Sequence, residues 1–252
     1  MTQRSEKKHW DRFWASSQKR GELYATDLRI VRNLEGFADF AGARVLEVGA
    51  GTGRDSAEIA REGGVVYALD YSEEALRLMS DTADAGVIIV CGDARVLPFA
   101  DETFDIVFHQ GLLEHFRDPA ALLAEHARVL KRGGILLVDV PQRYHYYTLL
   151  KHIMMLFRIW FAGWETEFTV AELRRRVSDA GLRVEHIYGE NLSPPVWYRG
   201  LRKVLLKFKI TLPMYPLQGR RAAAVRRGLR GMVPERVHVN TAMVIGAIAR
   251  KP

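Results

Sequence analysis

Short apolar runs alternate with longer amphipathic segments along most of this chain. Runs bounded by glycine or acidic residues predict buried strands, and segments with apolar positions three or four apart predict helices. The predicted elements are strand 44–48, helix 53–62, strand 65–69, helix 73–81, strand 87–90, strand 105–109, helix 119–131 and strand 134–140. Strands that alternate with helices predict a mostly parallel sheet covered by helices on both faces.

Further elements flank this core on both sides. Apolar residues at helical spacing predict a helix near residues 25–38, after a shorter one. Thr169 and Glu172 form a capping box for a helix that stops at Gly181. Two more strands are predicted at 182–188 and near 239–249, which makes seven in all.

The segment from Tyr144 to Trp164 is rich in aromatic and aliphatic residues. Charged residues interrupt it too often for a helix that spans a bilayer. If this segment is a helix, four of its residues form one narrow stripe along its length, and the rest of the helix surface is apolar. The stripe consists of Thr148, Lys151, Met155 and Arg158.

A second segment, Leu201 to Ile210, predicts a basic amphipathic helix. Its apolar face carries Leu201, Val204, Leu205 and Phe208, and its other face carries Arg202, Lys203 and Lys207. The aromatic residues Trp197, Tyr198 and Tyr215 flank it. This composition is typical of helices that lie at a membrane interface.

The first strand runs directly into glycines at 49, 51 and 53, within VLEVGAGTGR. Glycines at a turn from strand to helix let a ligand approach the backbone closely. The second strand is followed by Asp70, where a carboxylate can accept hydrogen bonds from the two hydroxyls of a ribose. Arg54 stands where the dinucleotide fingerprint has its third glycine, so the spacing disfavours a hydride-transfer enzyme. The pattern predicts a site for another nucleoside cofactor.

An ordered set of motifs resembles the class I S-adenosylmethionine (SAM) dependent methyltransferases, in particular their "type 11" branch. The motifs are the glycine loop with Glu47 before it, Asp70, Gly92-Asp93-Ala94, and FDIVFHQGLLEHF over residues 104–116. The similarity is strong over residues 40–140 and weaker over 165–190. It implies a Rossmann-like α/β sheet of seven strands, mostly parallel, with the last strand antiparallel beside the fifth.

The resemblance also implies how SAM would be held. Its methionine part would lie on Glu47, Gly49, Ala50, Gly51 and Gly53. Asp70 would bind the ribose, with Tyr71 beside the adenine, while Asp93 and Ala94 would contact the adenine and Gln110 the methyl donor. No metal ligand set is predicted.

Catalytic residues are harder to assign from sequence, because the electrophile of this reaction is already activated and a base is needed only for some acceptors. His145 follows Pro141 just past the fifth strand, at the mouth where an acceptor would lie. It is the predicted general base. His115 belongs to a motif that recurs in the resembling family whatever the acceptor is, which favours a structural role.

Composition fits one domain over residues 1–252, with a core at 41–143. Its predicted elaborations are a helical cap at 1–40, the aromatic insertion at 144–168 and a basic insertion at 191–237. The single cysteine, Cys91, and the absence of an apolar leader predict a cytoplasmic protein.

Charge is distributed unevenly along the chain. Residues 1–143 hold 18 Lys and Arg against 23 Asp and Glu, whereas residues 144–252 hold 19 against 7. The interval 191–234 has ten basic residues and no acidic one. Such a run is either a solvated face or a contact with an anionic surface.

Two functions fit best. The first is a methyltransferase for an amphipathic or lipid-linked small molecule at the membrane surface, in peripheral contact with anionic lipid on its inner face. The alternative is a methyltransferase for a soluble metabolite, with the aromatic helix as a lid or dimer interface. Nucleic acid is not the expected partner, since no NPPY-type motif follows the fourth strand. A SAM-binding protein without catalytic activity is a further alternative, and the oligomeric state and the methylated atom stay open.

Overall fold

A computed structural model describes residues 7–15, 28–82, 86–157, 165–191, 196–213 and 234–252. Its helices are α1 (Lys7–Trp14), α2 (Arg29–Leu34), α3 (Arg54–Arg61), α4 (Glu73–Thr82), α5 (Ala120–Val129), α6 (Tyr146–Leu156), α7 (Val170–Asp179), α8 (Val196–Lys207) and α9 (Glu235–Thr241). Its strands are β1 (Arg44–Val48), β2 (Val65–Asp70), β3 (Val87–Cys91), β4 (Phe104–Gln110), β5 (Leu130–Pro141), β6 (Arg183–Glu190) and β7 (Val244–Arg250). A 3-10 turn covers Leu113–His115.

The seven strands form one sheet in the order β3-β2-β1-β4-β5-β7-β6. The pairs among β1 to β5 are parallel, and β7 is antiparallel to both β5 and β6. The predicted sheet, with an antiparallel last strand beside the fifth, is confirmed. The carboxyl ends of the parallel strands therefore meet at one edge, which we call the carboxyl edge.

Apolar residues cover both faces of the sheet, as expected when parallel strands are buried on two sides. Leu46 and Val48 of β1 belong to the hydrophobic core on one face. Val45 belongs to the core on the opposite face, where α2 contributes Ile30 and Leu34. Successive side chains of β1 point to opposite faces of the sheet, so its apolar residues are divided between the two hydrophobic cores.

Several boundaries differ from the predicted ones. The helix predicted near 25–38 is a helix over 29–34, and residues 35–38 are described but not helical. β5 starts at Leu130, directly after α5, because residue 130 leaves the helix with an extended backbone. The predicted last strand near 239–249 is a strand only over 244–250, and α9 occupies residues 235–241. Val239, at the start of the predicted strand, is buried on one side of this helix. The segment from 25 to 27 lies outside the described residues.

The capping box that opens α7 is confirmed. The Thr169 hydroxyl accepts a hydrogen bond from the Glu172 amide at 3.2 Å, and the Glu172 carboxylate accepts one from the Thr169 amide at 2.9 Å. Two backbone donors that would otherwise lack partners at the helix start are satisfied in this way.

A buried ion pair fastens α2 to the sheet. The Arg29 guanidinium donates to both oxygens of Asp139 on β5, at 2.9 and 3.1 Å. The Tyr188 hydroxyl of β6 donates to the same carboxylate at 3.1 Å. Burial together with the Asp139 charge raises the pKa of Tyr188 well above its ordinary value. The hydroxyl stays neutral and can only act as a donor to the carboxylate.

His109 of β4 and His126 of α5 form a buried pair with ring centroids 5.2 Å apart. Among the described residues no partner hydrogen-bonds any of their four ring nitrogens. Burial lowers the pKa of His109 well below its ordinary value and that of His126 to about 3. Both rings are therefore neutral in the folded chain at pH 7.

We expect this pair to make folding acid-sensitive. The neutral histidines of the folded chain bind fewer protons than the same histidines in the unfolded chain. The free energy of unfolding is therefore highest above about pH 6.5, and it decreases as the pH falls towards about 3. Each should remove about 1.4 kcal/mol of unfolding free energy per pH unit well inside that window.

The measurement is urea unfolding between pH 7 and pH 4.5 for wild type and a His109→Leu/His126→Leu double variant. The variant should be the more stable one and lose much of the pH slope, since both unpaired polar groups are gone. His186→Gln, at a half-buried position, is the control. An unchanged slope in the double variant would contradict the expectation.

Candidate cofactor site and acceptor edge

The glycine loop between β1 and α3 adopts a left-handed backbone at all three glycines. Their φ angles are +71° at Gly49, +58° at Gly51 and +67° at Gly53. A side chain at Gly53 would also place its Cβ 2.9 Å from Met79 Cγ. Only glycine adopts these angles without strain, so the turn requires the residues that the sequence supplies.

The loop amides are satisfied within the protein. Gly49 and Ala50 donate to the Leu69 carbonyl at 2.8 and 3.0 Å, Gly51 donates to Asp70, and Gly53 donates to the Ala50 carbonyl at 2.9 Å. A ligand at the carboxyl edge would therefore meet a rigid surface that has no side chains at its three glycines. This surface suits the close approach of a ligand.

Asp70 joins the glycine loop to the end of β2. Its carboxylate accepts hydrogen bonds from the amides of Gly51 and Ser72, each at 2.8 Å. Burial raises the pKa of Asp70, an effect that these hydrogen bonds oppose. Each carboxylate oxygen can accept more than one hydrogen bond, so ribose hydroxyls could share it. Next to it, Tyr71 is exposed and available to pack against a flat ring.

Asp93 follows β3 at the same edge, but its carboxylate is already paired. Arg95 donates to it from the backbone amide and from the guanidinium, with a shortest distance of 2.6 Å. The Arg95 hydrogen bonds keep the pKa of Asp93 below its ordinary value. An adenine amino group would have to share this carboxylate with Arg95. Ala94 is buried in the core beneath it.

Glu47 points towards the first turn of α3. Its carboxyl accepts hydrogen bonds from the Ser56 hydroxyl at 2.6 Å and from the Ser56 amide at 3.1 Å. Burial and the nearby Asp55 raise the pKa of Glu47 to about 8. This carboxyl ties β1 to α3 and so supports the loop from beneath.

The N-terminal helix α1, part of the helical cap predicted at 1–40, lies over the carboxyl edge. The Trp10 ring meets the His115 ring edge-on at 4.7 Å, next to the end of β4. Asp11 accepts a hydrogen bond from the Ser72 hydroxyl at 2.6 Å, next to the end of β2. The helix therefore bridges the two sides of the glycine loop. The signal was present in the aromatic spacing of Trp10, Phe13 and Trp14.

We expect Trp10→Ala to weaken binding of S-adenosylhomocysteine about tenfold, because the helix loses an aromatic contact that holds it over the edge. Isothermal titration calorimetry measures the change. Trp10→Phe should recover most of the affinity, since it keeps a ring beside His115. Equal affinities for all three proteins would show that α1 does not cover the ligand.

His145 is the N-cap of α6. Its Nδ1 accepts a hydrogen bond from the Tyr147 amide at 3.2 Å, and its ring lies 4.1 Å from the Tyr146 ring. Burial lowers the pKa of His145, so the ring is neutral near pH 7. A neutral ring that accepts at Nδ1 carries its proton on Nε2. In this arrangement His145 could donate a hydrogen bond to an acceptor, and it could serve as a base only after the cap is released.

Helix α6 buries the two polar residues of its stripe that the structure describes, Thr148 and Lys151. Lys151 is 2% exposed, and its ammonium contacts Glu165 at 2.9 Å and Glu167 at 2.5 Å. Thr148 is also buried, and its hydroxyl donates to the Gln142 carbonyl at 2.7 Å. The sequence located this stripe but not its direction. The apolar side of the helix faces outward.

A further buried carboxyl lies beside this cluster. Glu114, in the 3-10 turn after β4, is 4% exposed, and none of the described residues hydrogen-bonds its Oε2. Burial and the charge of Glu165 raise the pKa of Glu114 well above its ordinary value. Gln110 is half-buried at the end of β4, close to this turn. Acidic groups thus collect where β4 and β5 end.

Helix α8 follows β6. The Tyr198 hydroxyl and the Arg202 guanidinium donate to the carbonyls of Pro213 and Leu212 at 2.9 and 3.1 Å. Leu201, Val204 and Phe208 are exposed on the other side. Of the aromatic residues predicted to flank these helices, Trp164 and Tyr215 lie outside the described residues, as does Arg158.

Within the described ranges, no group of three or more His, Cys, Asp or Glu side chains could hold a metal ion. Over the same ranges, no helix has the length and apolar character needed to cross a membrane.

The sheet order divides the carboxyl edge into two regions. Asp70, Tyr71 and Asp93 lie on the β2–β3 side of the glycine loop, where a nucleoside would bind. Gln110 and the turn after β4 lie on the other side, next to β5. A group transferred from a ligand on the loop would therefore be offered towards the ends of β4 and β5. We call that region the acceptor edge.

Comparison with known proteins agrees with this arrangement. The family profile described as "Methyltransferase domain" matches residues 46–138. Ubiquinone biosynthesis O-methyltransferase from Parvibaculum lavamentivorans is 29% identical over 183 residues, 68% of each chain. Demethylmenaquinone methyltransferase from Thermobifida fusca is 41% identical over 103 residues, 39% of this chain and 44% of that protein. The match to the second relative thus spans less than half of its length.

A solved structure shares the fold over almost the whole chain. It comes from the complex between the Haloferax volcanii Trm112 methyltransferase activator and a methyltransferase, with a TM-score of 0.67, 20% identity, and coverage of 96% of this chain and 97% of that one. The matched profile spans β1 to β5, which carry the glycine loop, Asp70, Asp93 and Gln110. Over the matched residues 46–138, the chain therefore carries a class I SAM-dependent methyltransferase domain.

Proposed function

We propose that this methyltransferase acts on an amphipathic or lipid-linked small molecule at a membrane surface, with SAM held by the residues of the glycine loop and the ends of β2 and β3. The observation that carries the proposal is the direction of α6. This helix begins directly after β5, at the acceptor edge, and turns its apolar side away from the protein. An acceptor with a long apolar tail would find a matching surface next to the place of methyl transfer.

The site fits the methyl donor in three respects. The loop has no side chains at its three glycines, the Asp70 carboxylate faces the loop, and the Tyr71 ring is free to cover a flat base. SAM, when bound, supplies a methyl group that is already activated for in-line displacement. The contribution of the chain is then mostly alignment, which is worth about 7–11 kcal/mol in favourable cases.

The residues of the acceptor edge define what the protein can do to the acceptor. His145 Nε2 can donate a hydrogen bond to an oxygen of the acceptor and orient it. Helix α1 lies over both sides of the loop, with Trp10 near the end of β4 and Asp11 near the end of β2, which limits access of water to the donor.

Two relatives support an acceptor with an apolar tail. Their names refer to ubiquinone biosynthesis and to demethylmenaquinone. Ubiquinone and demethylmenaquinone are both isoprenoid quinones. We propose the same chemical class for this chain, a ring compound with a polar head and an isoprenoid tail.

The test is a methylation assay with radiolabelled SAM and two acceptors that share a hydroxylated ring, one with an isoprenoid tail and one without. Both are supplied in non-ionic detergent micelles. We expect kcat/KM to be at least about tenfold higher for the tailed acceptor, since burial of a few methylene groups exceeds that free energy. Equal rates for both acceptors would favour the soluble-metabolite alternative, in which α6 is a lid or a dimer interface.

A further inference from the structure

Helices α6 and α8 leave the sheet at the same place. In the antiparallel ladders, Val244 of β7 lies opposite Pro141 of β5 on one side and opposite Glu190 of β6 on the other. β5 and β6 are therefore parallel to each other and end at the same level. Since α6 follows β5 and α8 follows β6, both helices start from one end of the sheet.

The outer side of α6 is apolar along its length except at His152, which is exposed and contacts Glu167. Leu149 is 67% exposed, Leu156 is 78% exposed, and Ile153 lies between them on the same side. Phe157 continues this side past the end of the helix at 68% exposed. Isolated exposed apolar residues are normal, but a continuous stripe of this kind marks an interaction surface.

The outer side of α8 is apolar too. Leu201, Val204 and Phe208 are exposed, whereas Tyr198 and Arg202 are tied to the chain that follows. The helix ends in a Schellman motif, in which Ile210 donates to the Leu205 carbonyl and Lys209 to the Leu206 carbonyl, each at 3.0 Å. Lys209 takes the left-handed position of this motif at φ +61°. The ending keeps Phe208 and Ile210 exposed beside two lysines, Lys207 and Lys209.

The charges in and around α8 indicate which kind of partner binds the exposed apolar sides of α6 and α8. Residues 191–234, which include α8, carry ten basic side chains and no acidic one. Helix α6 has no acidic residue either. At α8, a second copy of this chain would bring like charge against the exposed Lys207 and Lys209, which disfavours close contact there. An anionic lipid surface satisfies the basic residues and accepts the apolar ones in its hydrocarbon boundary.

We propose that α6 and α8 form one docking surface for an anionic phospholipid bilayer, with the apolar sides inserted at the interface and the lysines at the headgroups. This inference rests on the proposed function and names its partner. It places the acceptor edge against the membrane, so that an acceptor can present its polar head to the site while its tail stays in lipid.

Co-sedimentation with vesicles tests the proposal. Full-length protein is mixed with vesicles of phosphatidylcholine alone or of phosphatidylcholine and phosphatidylglycerol in equal amounts, over a series of salt concentrations. We expect binding to the anionic vesicles that weakens as salt rises, and much weaker binding to the neutral ones. Absence of binding to anionic vesicles at low salt, or equal binding to both kinds, would overturn the proposal.

Matched variants locate the surface. Leu149→Gln/Leu156→Gln should weaken binding at least about tenfold, because two leucines no longer insert. Lys207→Gln/Lys209→Gln should weaken it about 30-fold, given about 1 kcal/mol for each basic residue near an anionic surface. The controls are Val65→Thr, which is exposed at the start of β2, and Arg132→Gln, which is exposed at the start of β5; both lie away from the carboxyl edge. Controls as weak as the α6 and α8 variants would contradict the assigned surface.

The outcomes separate this inference from the proposed function. Methylation of the tailed acceptor in micelles without vesicle binding would refute the docking surface and the action at a membrane surface, but not the acceptor class. Vesicle binding without preference for the tailed acceptor would refute only the acceptor class. Sedimentation as a dimer that the α6 variant dissociates, together with no vesicle binding, would assign the face to a second copy instead and overturn the inference.

Discussion

Replacing Asp70 with alanine should weaken binding of SAM by about 100-fold or more. The carboxylate accepts hydrogen bonds from Gly51 and Ser72, and it is the acceptor expected for the ribose hydroxyls. Hydrogen bonds to a charged group contribute about 1.5–3 kcal/mol each, so the loss of ribose contacts alone reaches the free energy of a 100-fold change. The amides of Gly51 and Ser72 also lose their hydrogen-bond acceptor, which loosens the surface on which the ligand lies.

Titration calorimetry with S-adenosylhomocysteine measures the affinity, and thermal unfolding of each variant reports how much of the change is due to folding. Asp70→Asn keeps one acceptor oxygen and should fall between wild type and the alanine variant. Asp81→Ala, an exposed carboxylate on α4, is the matched control and should bind as wild type does. An alanine variant with wild-type affinity would refute the role of Asp70.

Replacing Lys151 with methionine should lower the free energy of unfolding by about 3–5 kcal/mol. The ammonium is buried between Glu165 and Glu167, and Lys151→Met removes its charge from both carboxyl groups, while His152 still contacts Glu167 at 3.1 Å. A buried charge without a partner is far more costly than the pair was favourable. Urea unfolding at pH 7 measures the loss.

Two further variants show that the effect comes from buried charge. Lys151→Met/Glu165→Gln/Glu167→Gln removes the whole cluster and should recover a large part of the lost stability. Lys131→Met breaks a pair with Asp105 in which both side chains are about 40% exposed, and should cost no more than about 1 kcal/mol. Equal losses for Lys151→Met and Lys131→Met would contradict the assigned environment of Lys151.

The sheet could be predicted from the sequence because its strands are short apolar runs with clear boundaries. Glycine ends β1, Asp70 ends β2, and the capping box at Thr169 starts α7. Each signal depends only on neighbours in the chain. Helix α9 was missed because residues 239–241 were assigned to the last strand, whereas in the fold this segment is a helix that packs against β6.

The site could be predicted only in part, since its side chains choose between several partners in space. The sequence identified Glu47 and Asp93, but it could not show that Ser56 and Arg95 already occupy their carboxyl groups. It located the polar stripe of α6, but the inward direction depends on Glu165 and Glu167, which approach Lys151 only in the fold. The contact between α1 and the turn after β4 is likewise a matter of tertiary structure.

The central claim is that the carboxyl edge of the sheet binds SAM between the glycine loop and Asp70. Titration of the wild-type chain with S-adenosylhomocysteine, followed by calorimetry, tests it most directly. We predict saturable binding of one ligand per chain, and competition between SAM and S-adenosylhomocysteine for that site. Absence of heat and of any shift in the unfolding temperature with either compound would contradict the claim.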